Sequence, residues 1–196
     1  MKKVYTAFLF LFALNTALFA THQPGFIVTK DAKIITGRVA EIFYSTWKTE
    51  LVFINEMGRR YTFHPAVIKG FAINNNGSIV EFESKYQKGT WRFLEVLEKG
   101  KTVSLYRSPM NKTQEVSINY GDNRIINRKV REYWLENGKS APIRVNSMNY
   151  KKLLRFCLSK QPEIVEKIGK TGYRFRDIQD IIKEYNRLIA QNAKRI

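Results

Sequence analysis

Trp91-Arg-Phe-Leu-Glu-Val-Leu-Glu-Lys-Gly-Lys-Thr-Val-Ser-Leu-Tyr-Arg107 decides how this chain is read. Two β-rich runs flank Lys99-Gly100, and glycine supplies the positive φ that tight hairpin turns need. A loop of two or four residues would pair Leu97 with Thr102, Val96 with Val103 and Leu94 with Leu105. That register gathers Leu94, Val96, Val103 and Leu105 on one face. It leaves Phe93, Glu95, Leu97, Ser104 and Tyr106 on the other. A three-residue loop would split the aliphatic set, because a slip of one residue turns every side chain over. Lys99 leaves the turn type open. Glu98 and Lys101 would face each other as an exposed pair of small worth.

Strand signals lead up to this hairpin at short, regular spacing. Gly25-Phe-Ile-Val-Thr29 and Lys33-Ile-Ile-Thr-Gly-Arg-Val39 flank a turn at Lys30-Asp31-Ala32. Glu50–Ile54 follows, then a turn at Glu56-Met57-Gly58. Arg59–Phe63 returns with Tyr61 and Phe63 inward, and Pro65 interrupts pairing. Val67–Ile73 and Ser78–Glu83 are separated by Asn74-Asn-Asn-Gly77, a strong turn signal. The spacing predicts an antiparallel meander, either a curled sheet or a partly open barrel.

Beyond Arg107 the pattern weakens. Gln114–Asn119 reads as one more strand, and Tyr120–Val130 as an exposed loop. Arg131–Glu136 and Ala141–Val145 form a last hairpin around Asn137-Gly138. The period then changes from 2 to 3.6. Ser147 or Asn149 caps a helix through Leu158. Pro162 opens a second, at a position where its missing N–H costs little, and Gly169 or Gly172 ends it. A third runs from about Arg176 to Gln191. Each is too short or too one-sided to stand alone. The expected fold is α+β, an antiparallel β-meander of eight to ten strands followed by three C-terminal α-helices. The division is 1–20 leader, 21–146 β domain and 147–196 helical tail packed on it.

The leader reading rests on Lys2 and Lys3 before the apolar run Val4–Ala20, with small Ala20 at the cleavage position. Asn15 and Thr16 make the run a poor membrane anchor. The expectation is an exported protein, periplasmic or secreted, released by signal cleavage. Removing the first twenty residues would leave 176 of the 196. That suits one domain, able to bury about 70% of its unfolded surface without staples. The single Cys157 cannot close an internal disulfide and reads as a buried thiol.

The formal charge of +17 becomes +15 without Lys2 and Lys3, and it is unevenly placed. Residues 21–84 hold 7 basic and 6 acidic groups, while residues 85–196 hold 25 against 11. The excess points to anionic partners: acidic polysaccharide, lipopolysaccharide phosphates or a membrane surface, with a protein partner as a further expectation. The basic stretch Arg124, Arg128, Lys129 and Arg131 is the first candidate for contact, joined by Lys151, Lys152 and Arg155. Export argues against nucleic acid, although basic and aromatic residues are both plentiful.

Three blocks carry a family resemblance. They are Gly25-Phe-Ile-Val-Thr with Gly37-Arg-Val, Tyr61-Thr-Phe-His-Pro with Ile68-Lys-Gly-Phe71, and Phe93-Leu-Glu-Val-Leu with Val103-Ser-Leu-Tyr-Arg107. The tail Gln161-Pro-Glu-Ile-Val-Glu-Lys-Ile168 with Tyr173-Arg-Phe-Arg-Asp-Ile178 and Ile182-Lys-Glu-Tyr-Asn186 belongs with them. Together they resemble a set of small secreted proteins of Bacteroidota without established activity. The resemblance implies export and a β-then-α layout, and it carries no catalytic residues. Members often place a Cys directly before the Pro of this tail. Gln161 stands there in this chain, which argues against an essential thiol.

Catalytic signals are sparse. His22 lies beside the cleavage site and His64 precedes Pro65. Neither has Cys, Asp or Glu at metal-ligand spacing, so no metal or cofactor is expected. The nucleophile-elbow, zinc-protease and phosphate-loop motifs are absent from the sequence. Strand alternation puts Glu81 and Glu83 on one face, where solubility of an edge strand accounts for them. The sequence therefore favours a non-catalytic envelope protein, with a hydrolase of envelope polymers as the alternative.

Overall fold

The computed structural model describes residues 22–44, 49–109, 114–119, 122–126 and 132–193, the segments 114–119 and 122–126 by backbone alone. Its body is an open antiparallel sheet of ten strands. They are β1 (Gln23–Thr29), β2 (Ile34–Tyr44), β3 (Thr49–Asn55), β4 (Arg60–Phe63), β5 (Ile68–Asn75), β6 (Ser78–Gln87), β7 (Thr90–Glu98), β8 (Val103–Arg107), β11 (Tyr133–Asn137) and β12 (Ile143–Val145). A separate two-stranded ribbon pairs β9 (Gln114–Asn119) with β10 (Asp122–Ile126). The spatial order is β12-β11-β8-β7-β6-β5-β1-β2-β3-β4.

That order is not a simple meander. β4 lies at one edge, yet the next strand, β5, pairs with β1 in the middle of the sheet. Pro65 ends β4 because it brings no N–H to a ladder. A turn from His64 O to Val67 N then redirects the chain. Tyr61, expected to point inward, is 41% exposed on this edge strand, although it stacks on Phe63.

Curvature comes from glycine. A Cβ at Gly25 would strike the Ala72 carbonyl, at Gly37 the Ile54 carbonyl and the Phe53 ring, and at Gly70 the Phe82 carbonyl. Side-chain-free positions on β1, β2 and β5 let the strands coil closely, and β3 comes round to touch β7. Inside the curl lie Ile27, Val39, Leu51, Phe53, Phe71, Phe82 and Phe93. Phe71 stacks on Phe82 at 4.5 Å and meets Phe93 edge-on at 5.0 Å. Each such ring contributes about 1.5–3 kcal/mol over exposure to water.

The central hairpin forms in a register other than the expected one. Glu95 pairs with Arg107, Val96 with Tyr106 and Glu98 with Leu105, with a bulge at Leu97. On the Glu95 and Val96 side of the bulge the pairing is offset by three residues from the expected one, Val96 meeting Tyr106 rather than Val103, so the aliphatic set divides between faces. Leu94 packs with Tyr106 and Trp134 on one side. Val103 and Leu105 pack under the helices on the other. All of Phe93, Leu94, Val103 and Leu105 are buried, because the sheet is covered on both faces here. Two consecutive positive φ angles make the tight turns at Asn76-Gly77, between β5 and β6, and at Lys88-Gly89, between β6 and β7, not at Lys99-Gly100.

The tail holds α1 (Tyr150–Cys157), the short α2 (Pro162–Lys167), a 3-10 turn (Phe175–Asp177) and α3 (Ile178–Asn192). Asn149 stands at the start of α1 without a side-chain cap. Instead Asn146 Oδ1 accepts from the Met148 and Asn149 amides, while Asn149 Oδ1 accepts from the Asn146 amide. Leu154, Leu158, Ile164, Ile178, Ile181, Ile182 and Tyr185 close over Val103, Leu105, Leu135 and Val145. The architecture is α+β with a sheet-rich body. Among the described residues no helix is long and apolar enough to cross a membrane.

Candidate functional site

Of the basic stretch singled out in the sequence, Arg128, Lys129 and Arg131 lie outside the described residues. Arg124 falls in β10, paired with Val116 of β9. The region expected as a loop therefore includes one arm of a ribbon.

Among the described residues, a polar cluster sits where four segments meet on the Tyr106 face of the sheet. β6 supplies Glu83 and Lys85, the β7–β8 connection Lys99, β8 Tyr106, and β11 Glu136. Lys85 Nζ donates to both Glu136 carboxylate oxygens at 2.8 Å and lies 3.0 Å from Glu83 Oε2. The Tyr106 hydroxyl donates to Glu136 Oε2 at 2.6 Å and is 3.1 Å from Glu83 Oε2. Lys99 Nζ donates to Glu83 Oε1 and, at 3.3 Å, to the Tyr106 hydroxyl. Both ammonium groups lie over the Tyr106 ring, 4.7 Å (Lys85) and 5.7 Å (Lys99) from its centroid.

Two carboxylates and two ammonium groups leave the cluster without net charge. Burial raises the Glu83 pKa, but hydrogen bonds and charge from Lys99 and Lys85 outweigh it and hold the carboxyl below its ordinary value. Tyr106 moves the opposite way. Burial first, then the bond to Glu136 and the two nearby carboxylates, push its ionisation well above the usual phenol range. β6 is an interior strand between β5 and β7, so Glu83 is not the edge-strand solubility residue the alternation suggested. Glu81 does remain exposed. Beside it, Phe26, Val28, Gly70 and Ala72 floor a groove of about 410 Å³ that Glu81 and Glu83 border.

A second chain of polar contacts continues along the sheet end. Arg92 Nη1 donates to the Tyr44 hydroxyl at 3.3 Å, and Tyr44 donates to Ser108 Oγ at 3.2 Å. Ser108 Oγ also accepts from the Trp134 indole at 3.3 Å and lies 3.3 Å from Glu132 Oε2. Glu132 in turn holds Arg144 at 2.9 Å. Composition gave no warning of either network. The available signal was charge on alternate residues of a central strand, Glu81, Glu83 and Lys85.

His64 is exposed, and its Nδ1 accepts from the Ala66 amide at 3.2 Å, which makes it a turn residue. Cys157 is buried, and burial pushes its thiol up to about 11. Among the described residues no three His, Cys, Asp or Glu side chains come close enough to hold a metal ion.

The basic excess is concentrated elsewhere. Residues 137–162 carry Lys139, Arg144, Lys151, Lys152, Arg155 and Lys160 and no acidic residue at all. All six are exposed. Comparison with family models, with curated proteins and with solved structures finds no match.

Proposed function

We propose that this protein is an exported, non-catalytic component of the cell envelope that binds an anionic envelope component, with a protein partner as a further possibility of the same surface. The observation that carries the reading is the charge distribution. Residues 21–84 are nearly balanced, whereas 85–196 hold 25 basic against 11 acidic groups. Field lines from such a surface gather polyanions and anionic membranes. The resemblance to secreted Bacteroidota proteins and the leader-like first twenty residues support export. In this reading Arg124, Arg128, Lys129 and Arg131 are binding residues, and the six cations of 137–162 add to the basic charge.

A hydrolase of envelope polymers would draw on the Glu83–Glu136 pair. Acid catalysis there would call for a carboxyl whose pKa is raised toward neutrality. The two lysines instead pull Glu83 down, and Lys85 occupies both oxygens of Glu136. The cluster favours a structural clasp over a hydrolytic site.

The test is retention of the exported protein on isolated envelope material as salt is raised. Binding that weakens steeply with salt, and that falls at least tenfold on reversing Arg128, Lys129 and Arg131 to Glu, supports the reading. Salt-independent retention, or none, removes it.

A further inference from the structure

α1 turns Tyr150, Leu154 and Cys157 into the core. At 100° per residue the opposite arc holds Lys151, Arg155, Lys152 and Phe156, in that order round the helix. All four are exposed, and Phe156 is 71% exposed. Met148, in the turn that starts the helix, is 90% exposed, and Ile143 on the edge strand β12 is 46% exposed. Single apolar residues on a surface are ordinary. Here Met148 and Phe156 stand inside the one stretch of 26 residues that carries six cations and no anion.

Between α1 and the β11–β12 hairpin lies a slot of about 240 Å³, lined by Leu135, Ile143, Leu153, Phe156 and Cys157 with Asn137 and Ser140 at its rim. Its walls are aliphatic and aromatic, and Phe156, which shares them, neighbours Lys152 on the exposed arc of α1. An exposed phenylalanine sharing one arc of a helix with Lys151, Lys152 and Arg155, and an exposed methionine in the turn before it, is the chemistry of an interfacial helix. The apolar residues enter the acyl boundary while the basic ones meet phosphates.

We propose that the face built from β12, the 146–149 turn and α1 docks on an anionic lipid bilayer. Met148 and Phe156 enter the membrane, and Lys151, Lys152 and Arg155 lie against the headgroups. Charge complementarity selects this occupant: a neutral partner would leave the cations without counter-charge, and a purely polar polyanion would leave Met148 and Phe156 in water. Arg144 is already held by Glu132 and is not part of the contact. The proposal rests on the anion-binding reading above and names its surface and partner.

The experiment is co-sedimentation of the exported protein with phosphatidylcholine vesicles, with and without 30% phosphatidylglycerol, alongside binding to heparin as a soluble polyanion. Three variants are compared with the parent: Met148→Ser with Phe156→Ser, Lys151→Gln with Lys152→Gln and Arg155→Gln, and Arg59→Gln with Arg60→Gln as a control on the far edge. Circular dichroism melts confirm that each folds. We expect binding only to the anionic vesicles. The apolar pair should weaken it about tenfold without changing heparin binding. The basic triple should weaken it by about fivefold per charge, and the control should leave it unaltered. Vesicle binding within twofold of the parent after the apolar substitutions overturns the proposal. Heparin binding without vesicle binding also overturns it while leaving the anion-binding reading intact. Binding to neither overturns both.

Discussion

Asn186 of α3 sits directly against Gly100 in the connection between β7 and β8. Its side-chain amide donates to the Val103 carbonyl at 3.0 Å, and any Cβ on residue 100 would collide with that amide. Gly100 is therefore glycine because a helix side chain fills the place of its own. It has no positive φ, unlike Gly89 one hairpin earlier.

This contact predicts a coupling. Asn186→Ala should cost about 1 kcal/mol by orphaning the Val103 carbonyl. Gly100→Ala should cost about 1–3 kcal/mol by displacing Asn186. In the Asn186→Ala background Gly100→Ala should become nearly neutral. Urea unfolding of the four proteins checks this, and strict additivity would contradict it.

The Tyr106 cluster predicts the pH profile of stability. Glu83 has a folded pKa below its unfolded value of about 4.3. Its stabilisation is therefore fully present above that value and is lost as pH falls through the folded one. Tyr106 is raised, so its contribution is complete below about pH 10 and is lost as pH climbs beyond. Glu83→Gln should flatten the acid limb and Tyr106→Phe the alkaline limb. Tyr106→Phe should also cost about 1–3 kcal/mol at neutral pH through the lost bond to Glu136. Thermal melts across pH 3–11 separate these effects, and unchanged limbs would contradict the assignment.

Cys157 predicts a silent thiol. With its ionisation pushed up to about 11 and the side chain 5% exposed, only about one part in 10³ would be thiolate at pH 8 even with free access. Reaction with a chromogenic disulfide should be slow in the native protein and stoichiometric in denaturant. Full labelling within minutes without denaturant would contradict the packing of α1.

Some of this was written plainly in the sequence. Asn74-Asn-Asn-Gly77 forms its turn through Asn76 and Gly77, at φ 50° and 88°, and Asn74 Oδ1 accepts from the Gly77 amide at 2.8 Å. Pro162 does start α2. The register of β7 on β8 was not legible, because the bulge at Leu97 and the approach of Asn186 are long-range effects without a local signal. The return from β4 to β5 beside β1 was equally hidden, since strand order depends on which edges the glycine-driven curl brings together. The Tyr106 cluster draws on four segments between residues 83 and 136, so no window of sequence contains it. The exposure of Met148, in the turn before α1, and of Phe156, opposite Tyr150, Leu154 and Cys157, is set by how the tail packs on the sheet.

The proposed membrane docking is tested most directly by placing a reporter at Phe156, the exposed aromatic residue of α1. Phe156→Trp should keep binding to vesicles containing phosphatidylglycerol, and its added emission should shift to shorter wavelength and be quenched by lipids brominated on their acyl chains. Vesicle-bound protein whose residue-156 emission stays at the position of a water-exposed indole, unquenched by brominated lipid, would contradict the account.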